Sequence, residues 1–280
     1  MSGYRFCRTD DIGLLVDALN RCWAPYFPGE PPMTPAAFKR SIRDLQVWCS
    51  SCMVAFAGAD PIGVLIGAKR RSGTLVHRIA VHPDHRRQGH GRHMLASLGS
   101  KLAILGPPLI VAEVPDTFAE ARGLFSGCGY VEEAVLTDYI LQEKPPGGGE
   151  VAGTFTIPVT VDDLAANGLL ENPPPTCWNR AAETLTARKD EIAGLAVASD
   201  EGIEAYLLHL ADGEILALRS LVDDSGARLR SLVARLRGAG MTTLRLAKVH
   251  PGEISRALLE TLGFRPSGGH RLYTARATGG

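Results

Sequence analysis

One stretch of the sequence has the residue types and spacing to hold an anion: Val81-His-Pro-Asp-His-Arg-Arg-Gln-Gly-His-Gly-Arg-His-Met-Leu95. In the pattern Arg86-x-x-Gly89-x-Gly91, two positions of a basic loop are glycines and carry no side chain. Backbone N–H groups can then converge on an anion at the start of the following helix, where the helix dipole also favours negative charge. The loop therefore predicts a pyrophosphate site. Its predicted contacts are Arg86, Arg87, Gln88, Gly89, His90, Gly91 and Arg92.

The residues around this loop indicate a strand before it and a helix after it. An apolar run, Thr74–Val81, precedes the loop. An amphipathic stretch follows it, with apolar residues at Met94, Leu95, Leu98, Leu102, Ile104 and Leu105. A basic turn with glycines also occurs as an ordinary surface loop, but this strand–loop–helix context favours the anion site.

The bulk composition is that of a globular protein with room for two domains. The chain has 280 residues, of which 45% are hydrophobic and 21% charged, and its formal net charge is zero. Nothing here predicts binding to nucleic acid or to a membrane surface. The longest apolar region, Cys49–Ala68, is interrupted by Asp60-Pro61 and is better interpreted as two strands than as a membrane span. We expect a cytoplasmic protein, since the N-terminus has no apolar signal core.

The six cysteines do not form the framework of a small disulfide-rich protein. Cys49-Ser-Ser-Cys52 has the spacing of a redox motif or half of a zinc site, but no second pair with matching spacing exists. Two buried thiols are the favoured interpretation.

A proline- and glycine-rich segment divides the chain into two similar halves. It lies within Gln142–Glu150, where neither helix nor strand can form. We therefore predict a domain at residues 1–144, a linker at 145–152 and a second domain at 153–280. Each half repeats the order strand, helix and closing glycine: Leu109–Val114 and Thr117–Ser126 in the first, Thr243–Val249 and Glu253–Leu262 in the second.

Together these features resemble the GCN5-related N-acetyltransferase (GNAT) superfamily. The resemblance rests on Arg86-x-x-Gly89-x-Gly91, on Val81-x-Pro83 before it, and on the order of elements over residues 3–142; residues 153–277 match only in outline. It implies an α/β (α+β) protein with two tandem GNAT folds. Each would have a mixed, mostly antiparallel central sheet flanked by helices, with its fourth and fifth strands splayed apart.

The resemblance implies acetyl-CoA as the acyl donor, held along Ile79, Ala80 and Val81. A backbone N–H of Ala80 or Val81 would polarise the thioester carbonyl, and a primary amine would attack directly. Two residues are candidates for the base that removes the amine proton. One is Glu113 at the end of the fifth strand, which could instead be an ordinary solvated glutamate. The other is His77, which could instead be an ordinary surface histidine. By strand alternation, His77 should share a face with Ile79 and Val81.

The usual general acid of the family, a tyrosine in the fourth helix, is Phe125 here, and the accompanying asparagine is Phe118. Tyr139 and Cys128 are possible substitutes, although both are more typical of a core. The connection after the first helix would form a wall of the acceptor site, or else a small aromatic core. Its candidate residues are Trp23, Tyr26, Phe27 and Glu30.

The second half lacks the basic loop. Val222-Asp-Asp-Ser-Gly226 places Asp223 and Asp224 where a pyrophosphate would be repelled. We therefore predict a degenerate copy that does not bind CoA, and a protein that is a monomeric pseudo-dimer or a homodimer.

Three functions are compatible with this sequence. The first is an N-acetyltransferase that moves an acetyl group from acetyl-CoA to a primary amine of a small molecule or peptide. The second is a catalytically weak acyl-CoA-binding sensor or regulatory protein, and the third a structural pseudo-dimer. No metal is expected, because His82, His85, His90 and His93 lack a completing carboxylate or thiolate. The amine and the acyl chain length stay open.

Overall fold

The computed structural model describes residues 2–142, 154–171 and 175–277. The predicted linker, 145–152, lies outside the described residues. The chain divides into two compact units. Unit 1 contains the residues up to Glu133 together with those from Arg271 onward, and unit 2 contains Ala134–His270.

Unit 1 follows the predicted order of elements, and no bound differs from the prediction by more than two residues. Its helices are α1 (Ile12–Cys22), α2 (Pro35–Leu45), α3 (His90–Leu105) and α4 (Ala119–Gly127). Its strands are β1 (Ser2–Phe6), β2 (Met53–Ala57), β3 (Asp60–Lys69), β4 (Thr74–Val81) and β5 (Leu109–Pro115), followed by the start of β6 (Val131–Leu141). The apolar region Cys49–Ala68 thus contains two strands, as predicted.

Strands β4 and β5 are splayed, which confirms that feature of the predicted fold. They run parallel and pair only at Thr74 with Ile110 and at Leu75 with Val111. On its other edge, β4 pairs antiparallel with β3 from Thr74 to Val81. A gap therefore opens between the carboxyl-terminal parts of β4 and β5.

Strand β4 contains a bulge that the sequence did not reveal. Gly67 of β3 pairs with Val76, while the preceding Ile66 pairs with Arg78, so His77 is the extra residue. Val76 packs in the same core cluster as Ile79 and Val81. The predicted alternation that grouped His77 with Ile79 and Val81 is therefore wrong, because a bulge shifts the side-chain pattern by one residue.

The core of unit 1 lies between the sheet and α3 and α4. Met94, Leu95, Leu98 and Leu102 of α3 are buried in it, as predicted. The prediction is wrong for Ile104 and Leu105, which are 80% and 69% exposed instead of packed with the other apolar residues of α3. Ile104 lies off the helical face that the four buried residues share, and Leu105 is the last residue of the helix.

The final strand of the chain, β12 (Arg265–Arg276), contributes to unit 1. Tyr273 is only 3% exposed and belongs to the unit 1 core. Arg271 donates to Asp116 at 2.7 Å and to Glu132 at 2.8 Å. Unit 1 is therefore assembled from two segments that are far apart in the sequence. The predicted boundaries after residue 144 and before residue 153 stay a prediction.

Unit 2 repeats the layout with shorter helices. Its helices are α5 (Val161–Ala166), α6 (Ala182–Ala187), α7 (Ala227–Gly238) and α8 (Arg256–Thr261). Its strands are β7 (Phe155–Val159), β8 (Ala193–Ser199), β9 (Gly202–His209), β10 (Ile215–Ser220) and β11 (Leu244–Val249). Strands β10 and β11 meet at one parallel bridge, Glu214 with Arg245, so the splay of unit 1 is repeated.

In unit 1 the strand order is β1-β2-β3-β4-β5, beside which lie the end of β12 and then the start of β6. In unit 2, β10, β9, β8 and β7 form a sheet in that order, and β11 pairs with β6. Antiparallel pairing joins β1–β2, β2–β3, β3–β4, β6–β11, β7–β8, β8–β9 and β9–β10, whereas β4 and β5 run parallel. This is the mixed, mostly antiparallel architecture predicted.

Candidate active site

The basic loop leads directly into α3, as predicted. A single 3₁₀ turn, Pro83–His85, follows β4, and Gly89 is the N-cap of α3 with no capping side chain. The first N–H groups of a helix have no intrahelical partner. The loop therefore presents unused donors and the positive end of the helix dipole to solvent.

The two glycines of the motif are required for different reasons. Gly89 has φ +87°, which side chains rarely allow, while a Cβ at this position would meet nothing within 4 Å. Gly91 has an ordinary helical backbone, but its Cβ would lie 3.0 Å from Cδ2 of Leu124 on α4. Gly89 thus sets the turn, whereas Gly91 allows α3 and α4 to pack closely.

His90 joins the first turn of α3 to β1. His90 is only 5% exposed, and its Nδ1 lies 2.6 Å from the hydroxyl of Tyr4. The Tyr4 ring also packs against His93, with ring centroids 3.8 Å apart. Burial lowers the pKa of His90, with smaller contributions from His85 and His93. The side chain of His90 is thus a neutral packing group, and its backbone N–H is what it offers to an anion.

The arginines of the motif differ in their surroundings. Arg86 lies 3.4 Å from Glu120 in the first turn of α4 and 5.7 Å from the ring centre of Tyr26. Arg87 is exposed and has φ +61°. Nη2 of Arg92 lies near the carboxyl end of α4, 3.7 Å from where a Cβ on Gly127 would be. All three side chains are solvent-exposed.

The free edge of β4 has a defined set of backbone donors. The N–H of His82 donates to Ile62 of β3 at 2.8 Å. Because a trans peptide is planar, the carbonyl of Val81 points the opposite way, away from β3, where it accepts from Tyr26 at 2.6 Å. In an extended strand the N–H and C=O of one residue face the same edge, so the N–H of Val81 also faces the gap, while that of Ala80 faces β3.

The two candidate bases lie on opposite sides of the splay. His77 is the bulged residue of β4, and Glu113 lies on β5 beyond its last pairing with β4. Both side chains are half-buried and both have interaction partners. Each candidate therefore lies on a strand that borders the gap, and their roles stay a prediction.

The acceptor-wall residues form one cluster. Trp23 stacks on Phe27 with centroids 4.3 Å apart, and its Nε1 donates to Glu30 at 3.2 Å. Phe27 contacts Phe118 at 5.0 Å between centroids. These aromatic rings are all half-buried, so the segment combines a small aromatic core with apolar surface that reaches solvent.

Sequence reasoning missed Arg78, which is central to this cluster. Its guanidinium carbon lies 4.9 Å from the ring centre of Trp23, and Nη2 lies 3.8 Å from Glu30. The signal that could have found it was a charged residue inside an otherwise apolar strand. Its contacts lie in the segment between α1 and α2, far from β4 in the sequence, and no local pattern specifies such a pairing.

The position of the expected general acid is part of the core. Phe125 is buried and packs against Tyr130 and Tyr273. Tyr139, one of the suggested substitutes, lies in the core of unit 2. Cys128 is half-buried at the end of α4; burial raises its pKa, and Arg92 opposes that shift.

Cys49 and Cys52 are buried thiols, as the sequence favoured. Burial raises the pKa of both, so neither is a reactive thiolate at neutral pH. Within residues 2–142, 154–171 and 175–277, no group of three or more His, Cys, Asp or Glu side chains could hold a metal ion.

In unit 2 a carboxylate of the chain itself occupies the helix N-terminus. Asp224 accepts from the N–H groups of Gly226 at 2.9 Å and Arg228 at 2.8 Å, and pairs with the Arg228 guanidinium at 3.0 Å. Arg228 also binds Glu204 at 2.6 Å. The donors that the unit 1 loop leaves open are therefore already satisfied here.

Comparisons with known proteins agree with this arrangement. Residues 48–132 match the family model of the acetyltransferase (GNAT) domain. No curated protein matches the chain. None of the helices in the described part of the chain is long and apolar enough to cross a membrane.

Several solved structures share the fold of the whole chain. A tandem GNAT protein from the clavulanic acid biosynthesis pathway has a TM-score of 0.66 at 16% identity, covering 99% of each chain. A GCN5-related N-acetyltransferase from Sphaerobacter thermophilus has a TM-score of 0.70 at 15% identity, covering 99% of this chain and 96% of that one. One from Anabaena variabilis has a TM-score of 0.68 at 12% identity, covering 99% and 73%.

At these identities the structural likeness establishes the fold, and the family match is confined to the segment that contains the basic loop. Residues 48–132 therefore match the acetyltransferase (GNAT) domain family, and the chain as a whole has the fold of a tandem GNAT protein.

Proposed function

We propose that unit 1 binds acetyl-CoA and transfers its acetyl group to a primary amine by direct attack. The observation that carries this proposal is the uncapped N-terminus of α3 at the mouth of the β4–β5 gap. A diphosphate at the loop would accept hydrogen bonds from the N–H groups of the first helical turn and would lie near exposed arginines. An extended pantetheine arm would fit along the gap.

In this proposal the backbone of β4 at the gap supplies the group that stabilises the transition state. The N–H of Val81 faces the gap and would donate to the thioester carbonyl as negative charge develops there. Tyr26 stays a neutral donor to the Val81 carbonyl, because burial raises its pKa although Arg86 opposes the shift. His77 or Glu113 would accept the ammonium proton before attack.

Unit 2 would not bind CoA, because the Asp224 carboxylate already satisfies the N-terminus of α7. A pyrophosphate there would have to displace that carboxylate and separate it from Arg228. We therefore infer one cofactor site per chain and a cytoplasmic enzyme, in a compartment where its thiols stay reduced.

One observation favours the second candidate, an acyl-CoA-binding sensor without turnover. Phe125 replaces the usual acid and lies in the core, so the departing thiolate lacks a tyrosine proton donor at that position. A sensor would keep the phosphate loop and bind acetyl-CoA without releasing CoA.

Two measurements separate these functions. Calorimetric titration with acetyl-CoA should give one site per chain; two sites would contradict the degenerate copy. Thiol release should then be followed with a broad panel of primary amines. Turnover that falls at least about tenfold in Glu113→Gln or His77→Gln supports the enzyme and identifies its base, since a general base contributes on the order of 10² to 10⁴.

Exposed polar residues provide matched controls. Glu171→Gln makes the same chemical change as Glu113→Gln at an exposed position of unit 2 and should leave turnover unchanged. Acetyl-CoA binding without release of CoA for any amine would favour the sensor. The absence of binding would contradict both candidates.

A further inference from the structure

Arg78 is a mostly enclosed cation with unused hydrogen-bond donors. Its side chain is 21% exposed, and its only ionic neighbour in the described part of the chain is Glu30, at 3.8 Å. That distance is longer than a hydrogen bond, and no other hydrogen bond joins Arg78 to a described residue. A guanidinium carries five N–H donors, so Arg78 has donors available to a bound molecule.

The surroundings of Arg78 do not neutralise it well. Glu30 is half-exposed and already accepts from Nε1 of Trp23. Burial lowers the pKa of Arg78, with Glu30 opposing, which is the sign of a cation that has lost water without gaining a close anion. The other cation near this segment, Arg86, faces Glu120 instead.

Arg78 also lies where an acceptor would have to enter. It is one residue after the bulged His77 and precedes Ile79 and Val81, whose edge faces the gap. Trp23, in the segment between α1 and α2, packs against its guanidinium and stacks on Phe27. Glu30 is engaged by Nε1 of Trp23, so the uncommitted charge of this wall is the positive charge of Arg78.

We propose that the acceptor is an amine that also carries a carboxylate, and that Arg78 is the residue that binds this carboxylate. This inference rests on the proposed acetyl transfer. The planar guanidinium offers a pair of parallel N–H donors that match a carboxylate, and such charge-assisted bonds strengthen where water is partly excluded. The half-buried rings of Trp23, Phe27 and Phe118 would contact the apolar body of the same molecule.

Matched acceptors test the anchor directly. Thiol release from acetyl-CoA is measured with α-, β- and γ-amino acids, each paired with its own carboxamide, so that only the carboxylate charge differs. We expect kcat/KM for at least one acid to exceed that of its amide at least tenfold. Arg78→Gln should remove this preference by raising KM for the acid alone, and Arg78→Lys should restore part of it.

Two controls separate the anchor from a folding defect. Arg40→Gln removes an exposed arginine of α2 and should leave the preference unchanged. Acetyl-CoA affinity should be the same in Arg78→Gln as in the native chain. Equal loss of acid and amide turnover in Arg78→Gln, or no preference in the native chain, would overturn the proposal.

The anchor can also be tested if acetyl transfer itself is absent. The CoA-saturated protein is titrated with the same acids and amides in a calorimeter. Binding of an acid that Arg78→Gln weakens at least tenfold supports the anchor even without turnover. If no acid binds, or if acid and amide bind equally, the carboxylate anchor is refuted independently of the proposed reaction.

Discussion

Replacing Gly89 by glutamate should abolish acetyl-CoA binding through charge, and a matched alanine variant isolates that effect. Both changes place a side chain at φ +87°, which costs roughly 1–2 kcal/mol in the left-handed region. Neither creates a clash at Cβ, because nothing lies within 4 Å of that position. The two variants should therefore lose similar amounts of stability.

The added carboxylate acts on the diphosphate alone. At roughly 5 Å, each pair of unit negative charges repels by about 0.8 kcal/mol at a dielectric constant of 80 and about 3 kcal/mol at 20. For a diphosphate with two charges this amounts to about 2–6 kcal/mol, which is a loss of tenfold or more in affinity. Gly89→Glu should thus bind acetyl-CoA at least tenfold more weakly than Gly89→Ala.

Calorimetric titration of both variants with two ligands provides the test. Acetyl-CoA carries the diphosphate, whereas S-acetylpantetheine has the same thioester arm without it. S-acetylpantetheine should bind the two variants equally. If acetyl-CoA also binds them equally, the pyrophosphate does not lie at Gly89, and the proposed cofactor orientation is refuted.

Three further predictions concern stability and reactivity. Burial alone would raise the pKa of Asp224, but hydrogen bonds from Arg228 and Gly226 outweigh burial and lower that pKa. The ionised Asp224 therefore stabilises the folded protein above pH ~4, and this stabilisation is lost as the pH falls through the lowered pKa. Asp224→Ala should cost about 1 kcal/mol at pH 7 and flatten this acid dependence, measured by urea unfolding. Tyr273→Ala should destabilise the protein by about 3 kcal/mol, since it empties a core position of unit 1, again measured by urea unfolding. Alkylation of the native protein at pH 8 should modify Cys128 first, because it is the one half-buried cysteine while burial raises the pKa of Cys22 to about 11; mass spectrometry showing Cys22 modified as quickly would contradict this.

Local sequence patterns were sufficient for most secondary structure and for the conformation of the loop before α3. The apolar run ending at Val81 and the glycines after it predicted a strand, a turn and a helix, which the structure contains. These features depend on residues close together in the chain. Turn chemistry, helix periodicity and the left-handed preference of Gly89 act within a few residues, so the sequence displays them directly.

The acceptor side could be predicted only in part. The sequence selected Trp23, Tyr26, Phe27 and Glu30 as a group; Trp23 does contact Phe27 and Glu30, whereas the Tyr26 hydroxyl donates to the Val81 carbonyl. It did not identify Arg78 as their partner, because that contact joins β4 to the segment between α1 and α2, which lies far from β4 in the sequence. Only tertiary packing brings such distant segments together.

The sequence by itself determined the order of elements, the basic glycine-containing turn of unit 1 and the absence of such a turn in unit 2. Only the tertiary structure decided that the last strand contributes Tyr273 to the unit 1 core and that Asp224 occupies the N-terminus of α7. It also decided that the uncommitted charge at the acceptor wall is the cation of Arg78. The physical reason is that a local motif fixes which groups are available, whereas burial and pairing between distant segments fix which groups remain unsatisfied and therefore able to bind.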